Sequence, residues 1–458
     1  MRKFKHYDVN QPMLLAPDIK DWLPDRHLAR YLGDVVESLD LTEIFESYAT
    51  KGGVGAPPLN PKLLLKVILY GYCAGIRSSR KLEKACQEII PFRVLSCDQM
   101  PDHDTINEFR RKHLGRLHGL FLQVLTLCQK SGLVKLAHVS LDGTKVKANA
   151  KKSKSRKYGD LLKSREELAE EIRRMFEEAE AIDEEEDRLY GKGNRGDELP
   201  PELADKKKRL ELIQKLIKEV ESEAKGRKQE LVKEKETKKK EDKAWMDETG
   251  FKFERRSPTI PKSDNPGDII LARRNPTDYE SRIMKESQTG GYIQAYNAQI
   301  MVDASSQVIV AADVFNKPSD KQLLRPMIEE MKKNTNGNVP DFLTADNGYF
   351  SERDIVYVER EGIDPYIPPT KDAKGKRTIL VGSKKTTITE FMREKLESKT
   401  GRSLYKLRKT LPEPVFGQIK SARGFREFLL RGLDKVKGEW QLVVIAHNLC
   451  KLHVAACI

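Results

Sequence analysis

Alternation of apolar and polar residues, the pattern of a strand with one buried face, occurs at Leu136 to Val146 and does not return until Tyr292. In the first run Ala137, Val139 and Leu141 alternate with His138 and Ser140, and the strand ends by presenting Asp142. One strand buries too little to be stable, so its partners must come from beyond the intervening segment. That segment, Lys151 to Lys243, is dense in Lys and Glu. Leu161, Leu162, Leu168 and Ile172 stand at helical spacing, as do Leu210, Ile213, Leu216, Ile217 and Val220, and Gly191 to Pro201 separates the two runs. The pattern predicts a charged helical hairpin over residues 151–245. It is inserted within a domain spanning 131–458 rather than joining two domains.

The awaited strands then come quickly. Tyr292 to Val302 and Val308 to Val314 read as strands around a Ser305-Ser306 turn, and Leu323 to Met331 reads as a helix. Asp341 to Ala345 is a short strand delivering Asp346, and Ser351 caps the helix that follows. Ile363 to Ile367 is a further strand, stopped by Pro368-Pro369. Strands alternating with helices make this an α/β fold.

Residues 1–130 differ. Leu28, Tyr31, Leu32, Val35 and Val36 form one helical stripe, and Leu63 to Tyr70 a second after the Gly/Pro-rich break at Lys51 to Pro61. Ser78 or Ser79 caps a third helix. Asp104 or Thr105 caps another, which carries Arg110, Arg111 and Lys112. Short helices with a basic final member predict an N-terminal DNA-binding domain of helix-turn-helix type. A net charge of +14 suits the same polyanionic partner. The six cysteines form no Cys-x-x-Cys pair and no apolar run is long enough to span a bilayer, so the expected setting is reducing and cytoplasmic, without a membrane. His447, Cys450 and His453 share a face of the apolar closing helix, Trp440 to Leu452, and read as core or surface residues rather than zinc ligands.

Three acidic residues remain. Asp142-Gly143 and Asn347-Gly348 are also hairpin-turn signals. Glu413, framed by Pro412 and Pro414 at a helix start, is also a simple dipole partner. Taken together, Asp142, Asp346 and Glu413 make a set of oxygen ligands for a hard cation. Glu394 and Glu397 are the other acidic candidates for the third place.

The segments Leu141-Asp142-Gly-Thr-Lys145, Thr344-Ala-Asp346-Asn-Gly-Tyr349 and Glu413-Pro-Val-Phe-Gly-Gln-Ile-Lys420, in this order, resemble the DDE transposases of bacterial insertion sequences. Asn275 to Lys285, Tyr296-Asn-Ala-Gln299 and Ala446-His-Asn-Leu449 extend the likeness over nearly the whole chain. It implies an RNase H-like core, a mixed five-stranded sheet flanked by helices. It also implies Asp142, Asp346 and Glu413 as the catalytic, metal-binding triad for two Mg²⁺ ions, or Mn²⁺. Tyr405, Arg408, Glu413 and Lys420 approximate the family's Tyr-Arg-Glu-Lys signature, with four residues instead of three between Arg408 and Glu413, which leaves Lys409 as an alternative to Arg408. By the resemblance Tyr405, Arg408 and Lys420 contact DNA, and water frees a 3′-OH at the element end that then attacks target DNA. A homodimer on double-stranded DNA, associated with the nucleoid, is the implied assembly. The alternative is a catalytically inactive or repurposed DNA-binding protein derived from a transposase. A coiled-coil interaction protein working through the hairpin would leave the three acids unused.

Overall fold

The computed structural model describes residues 18–49, 58–190, 201–249, 273–286, 290–371, 373, 375, 377–381 and 384–457. Most of the Gly191 to Pro201 break and of the Lys51 to Pro61 break lies outside them. No helix among the described residues is long and apolar enough to cross a membrane.

Among the described residues seven α-helices precede the first strand: α1 (Leu28–Ser38), α2 (Thr42–Ala49), α3 (Pro61–Ala74), α4 (Ser79–Glu88), α5 (Ile90–Leu95), α6 (His103–His113) and α7 (Leu117–Lys130). Local chemistry sets their ends. The Asn60 side chain accepts the Lys62 N–H at 2.9 Å and Pro61 occupies the first turn of α3. Gly75 ends α3 at φ +79°, where an added Cβ would stand 3.0 Å from the Arg423 carbonyl. The cap of α6 is Asp102, whose carboxylate accepts the Thr105 N–H at 2.6 Å. The sequence points to Asp104 or Thr105 instead. Asp102 holds the extended backbone a cap needs, and Asp104 falls inside the first turn.

The sheet contains β1 (His138–Lys147), β4 (Arg282–Lys285), β5 (Tyr292–Asp303), β6 (Ile309–Phe315), β7 (Phe342–Thr344) and β8 (Asp364–Tyr366). Its main order is β6-β5-β1-β7-β8. β5 runs antiparallel to β1 and β6, whereas β7 is parallel to both β1 and β8. These five make the mixed RNase H-like sheet. β4 is a sixth strand, pairing with β5 over Tyr292 to Ala295, beyond the end of β6. Two short ladders lie apart: β2 (Arg156–Lys157) with β3 (Arg273–Arg274), and β9 (Thr378–Val381) with β10 (Lys384–Thr387).

β1 and β5 are antiparallel neighbours, so the chain leaves at the end of β1 and returns at the start of β5 at the same end of one strand pair. Helices α8 (Tyr158–Tyr190) and α9 (Pro201–Thr249) lie in that interval. Leu161, Leu168, Ile172, Ile213, Leu216 and Ile217 bury one another between them in a core separate from the main one. The far end of α9 is tied back to the α/β body. Trp245 is buried, Asp242 pairs with Arg377, and Glu241 pairs with Arg325 and Arg353.

The remaining helices are α10 (Leu324–Asn334), α11 (Glu352–Arg360), α12 (Ile388–Glu397), α13 (Lys399–Thr410), α14 (Pro412–Gly417) and α15 (Leu433–Cys457). Helix α15 is buried along most of its length because it packs on α3 and α7 on one side and on β6 on the other. The main apolar interior therefore runs without a break from Leu23 to Leu452, across the boundary that composition places near residue 130. Within α15, His447 is fully buried and its Nε2 meets the Gln307 carbonyl at 2.8 Å, so it serves packing.

Trp440 sits fully buried in this shared core, with its indole N–H donating to the Gln299 carbonyl at 3.3 Å. Trp440→Ala should lower stability in urea by about 3–5 kcal/mol, with helical and near-ultraviolet signals lost in one transition. Two separated transitions would contradict a single core.

Candidate active site

Strand β1 does not turn at Asp142-Gly143. It continues through them, with Asp142 opposite Ile300 and Gly143 opposite Gln299. The space that a side chain on Gly143 would fill belongs to Gln299, whose Nε2 would lie 2.1 Å from an added Cβ. The glycine is thus required by close approach across the sheet, and neither the hairpin nor the strand-end reading of Asp-Gly holds. Asp142 nevertheless gains the exposure of an end on one side, since parallel pairing with β7 stops at Ser140–Thr344. Asp346 lies two residues past the end of β7. It caps the 3₁₀ turn Asn347–Tyr349, its Oδ1 accepting the Gly348 N–H at 2.8 Å. Both carboxylates therefore stand at the carboxyl end of one parallel strand pair, where α/β folds commonly place their sites.

Neither is well solvated. Burial, reinforced by the charges of Asp346 and Asp320, pushes the Asp142 carboxyl up to about 6, against the opposing pull of the Gly143 N–H and Arg408. Burial raises Asp346 as well, with Asp320 adding to it and the Gly348 N–H, Arg408 and Lys145 opposing it.

Glu413 begins α14 immediately after Pro412, and its side chain is 55% exposed. Between it and Asp142 stands the Arg408 guanidinium, with Nη1 3.7 Å from Asp142 Oδ2 and Nη2 4.0 Å from Glu413 Oε1. Its Nε is buried with no hydrogen-bond partner. Lys409 is exposed, so Arg408 is the cation that faces the acids. The extra residue between Arg408 and Glu413 is absorbed at Leu411, the junction where α13 ends and α14 starts. The Tyr405 ring lies 5.7 Å from the Arg408 guanidinium. Glu394 and Glu397 belong to α12.

Lys420 falls in a π-helical turn, Gln418–Ala422, which takes it off the two-turn spacing from Glu413 that a regular helix would give. Its ammonium donates to the Lys145 carbonyl at 3.0 Å, and burial pulls its pKa below the ordinary lysine value.

In the N-terminal helices the three basic residues part company. Arg110 is 6% exposed, and it donates to the Arg77 carbonyl at 3.0 Å and to Asn107 Oδ1 at 3.1 Å. In this structure its guanidinium is therefore engaged with the protein interior rather than presented at the surface. Arg111 and Lys112 are exposed, although the Lys112 ammonium also donates to the Ser47 carbonyl and lies 3.9 Å from the Tyr48 ring centroid.

Asp320 escaped the sequence reading. It lies in the loop after β6 and carries no pattern of its own. Its Oδ1 accepts from Lys145, Asn297 and Gln299. Asn297 and Gln299, polar residues on a strand buried from Gln294 to Asp303, are the available sign of an interior acceptor.

Only oxygen donors meet at the acids, which suits a hard divalent cation. Two raised, like-charged carboxyls form a cluster that such a cation would relieve. Among the described residues no three His, Cys, Asp or Glu side chains stand close enough together to hold an ion, and the Arg408 guanidinium lies between Asp142 and Glu413.

A family model described as a transposase domain (DUF772) matches residues 17–112, and one described as a transposase DDE domain matches residues 238–449. Neither the curated proteins nor the solved structures give a match.

The Asp142 shift has a sign that can be checked. A carboxyl whose folded pKa of about 6 exceeds its unfolded value of 3.8 binds more protons folded than unfolded between those pH values. Stability contributed by this group is therefore lost as pH rises through the window. In metal-free buffer Asp142→Asn should be more stable than wild type at pH 7, by roughly 2–3 kcal/mol. The difference should vanish below about pH 4. Urea unfolding of both proteins across this range decides it, and a variant less stable at pH 7 contradicts the assignment.

Proposed function

Because the chain belongs to the DDE transposases of insertion sequences, we propose that it cuts the ends of its element and joins them to target DNA at the site formed by Asp142, Asp346 and Glu413. The observation that carries this reading is the pair of poorly solvated, mutually repelling carboxyls just past the point where β1 and β7 stop pairing, with Arg408 reaching from Asp142 to Glu413. In a protein without chemistry to perform, such a pair only costs stability.

The reaction is two phosphoryl displacements. A water oxygen attacks the phosphorus at the element boundary, the bond to the 3′-oxygen breaks, and that oxygen takes up a proton. The freed 3′-OH then attacks a target phosphorus, loses its proton and displaces a target 3′-oxygen. Two Mg²⁺ ions, or Mn²⁺, held by the three carboxylates would supply charge neutralisation, an activated attacking oxygen and a stabilised leaving oxygen. The chain's own side chains supply position. Arg408 exchanges its carboxylate contacts for a phosphate, with Tyr405 beneath it. Lys420, its ammonium held by the Lys145 carbonyl, faces a neighbouring phosphate. Arg111 and Lys112 contact end DNA from α6, and two copies act together, one at each end. A DNA-binding descendant without cleavage leaves the buried carboxyl pair without a role.

Asp142→Asn, Asp346→Asn and Glu413→Gln preserve side-chain size. Each should reduce Mg²⁺-dependent cleavage of the element's end DNA by at least about 10³-fold while leaving binding to that DNA within about twofold. Wild-type cleavage by Glu413→Gln, with Glu394→Gln or Glu397→Gln inactive, would move the third ligand to α12.

A further inference from the structure

Lys145 and Asp320 form an ion pair 3.1 Å long whose side chains are 14% and 26% exposed. Asp320 Oδ1 is crowded: besides the Lys145 ammonium it accepts the Asn297 amide at 2.7 Å and the Gln299 amide at 3.0 Å. The Gln299 amide also donates to Asn297 Oδ1 at 2.9 Å, and the Tyr349 hydroxyl donates to Gln299 Oε1. The network is anchored on three sides. Trp440 holds the Gln299 carbonyl, β1 holds Lys145 opposite Asn297, and Tyr349 belongs to the turn that Asp346 caps. Gly348 of that turn is wedged between the two acids. A Cβ there would lie 2.9 Å from Asp346 Oδ1 and 3.7 Å from the Asp320 Cβ. Both Arg408 and Lys145 lie near enough to Asp346 to oppose the rise in its pKa.

A mostly buried ion pair is a poor device for stability, since apolar residues of similar size commonly do better. What this one provides is direction. Three donors converging on one carboxylate oxygen fix where the ammonium stands. We propose that Asp320 is a positioning residue: it holds Lys145 beside Asp346 so that the Lys145 ammonium meets a DNA phosphate adjoining the bond that is cut. Asp320 itself touches no DNA. This rests on the transposase reading above, and it adds Lys145 as a phosphate contact and Asp320 as the group acting through it.

The test uses the full chain. Asp320→Asn keeps the size and an acceptor oxygen for Asn297 and Gln299 but loses the charge that holds Lys145. Asp320→Asn and Lys145→Met should each slow single-turnover cleavage of end DNA by about 10- to 100-fold. The double variant should be no slower than Lys145→Met alone, because one residue acts through the other. Multiplying losses, or wild-type cleavage by Asp320→Asn, overturns the proposal. Should Asp320→Asn not fold, Lys145→Arg, which keeps the ion pair, must retain at least a tenth of the wild-type rate while Lys145→Met does not. Equal rates for those two also overturn it. Should the wild type not cleave at all, the cleavage reading fails by itself, and the salt dependence of binding to duplex DNA still decides. Lys145→Met should lower the slope by about one, and Asp320→Asn should alter binding only while Lys145 is present. An unchanged slope rejects the phosphate contact.

Discussion

Two carboxylates kept from water beside each other, Asp142 and Asp346, set the terms for the rest of this molecule. Their repulsion is offset by nearby cations, Arg408 from α13 and Lys145 from β1. Their placement depends on backbone geometry that only certain residues allow. Gly143 lets β1 run straight past Gln299, and Gly348 gives its N–H to Asp346 with an added Cβ standing 2.9 Å from the carboxylate it holds. Arg408 is both a counter-charge and an obstacle. It balances Asp142 while standing between Asp142 and Glu413, so the third carboxylate is separated from the other two.

The scaffold that holds this arrangement is unusually interdependent for a chain with so long an insertion. Helix α15 serves as a common wall, sharing one side with the sheet and the other with the N-terminal helices. The inserted hairpin carries its own small core, yet Asp242, Glu241 and Trp245 pin the end of α9 against residues around Arg353 and Arg377.

Much of this was legible from residue pattern alone. The strands at 292–303 and 309–315, the short strand before Asp346, the Ser351 cap and the proline-led start of α14 all rest on local signals, and local signals suffice where neighbours in sequence decide the outcome. What was misread depends on distant partners. Asp-Gly is a turn in isolation, and only Gln299, arriving from the far side of the insertion, makes it the middle of a strand. Arg110 looks like its basic neighbours until Arg77 and the buried Glu439 are folded around it. Asp320 has no pattern at all, because three donors from two strands define it. The spacing anomaly around Arg408 is harmless for the same reason: a break between two helices absorbs a residue that a continuous helix could not.

The central claim is that Arg408 substitutes for bound cations until DNA draws it away. Mn²⁺ binding to Arg408→Gln and to wild type, measured calorimetrically without DNA, tests it most directly. Removing a competing positive charge should tighten Mn²⁺ binding by about tenfold, equivalent to about 1.4 kcal/mol. Affinity that is unchanged or weaker would mean that Arg408 does not compete with metal for the carboxylates.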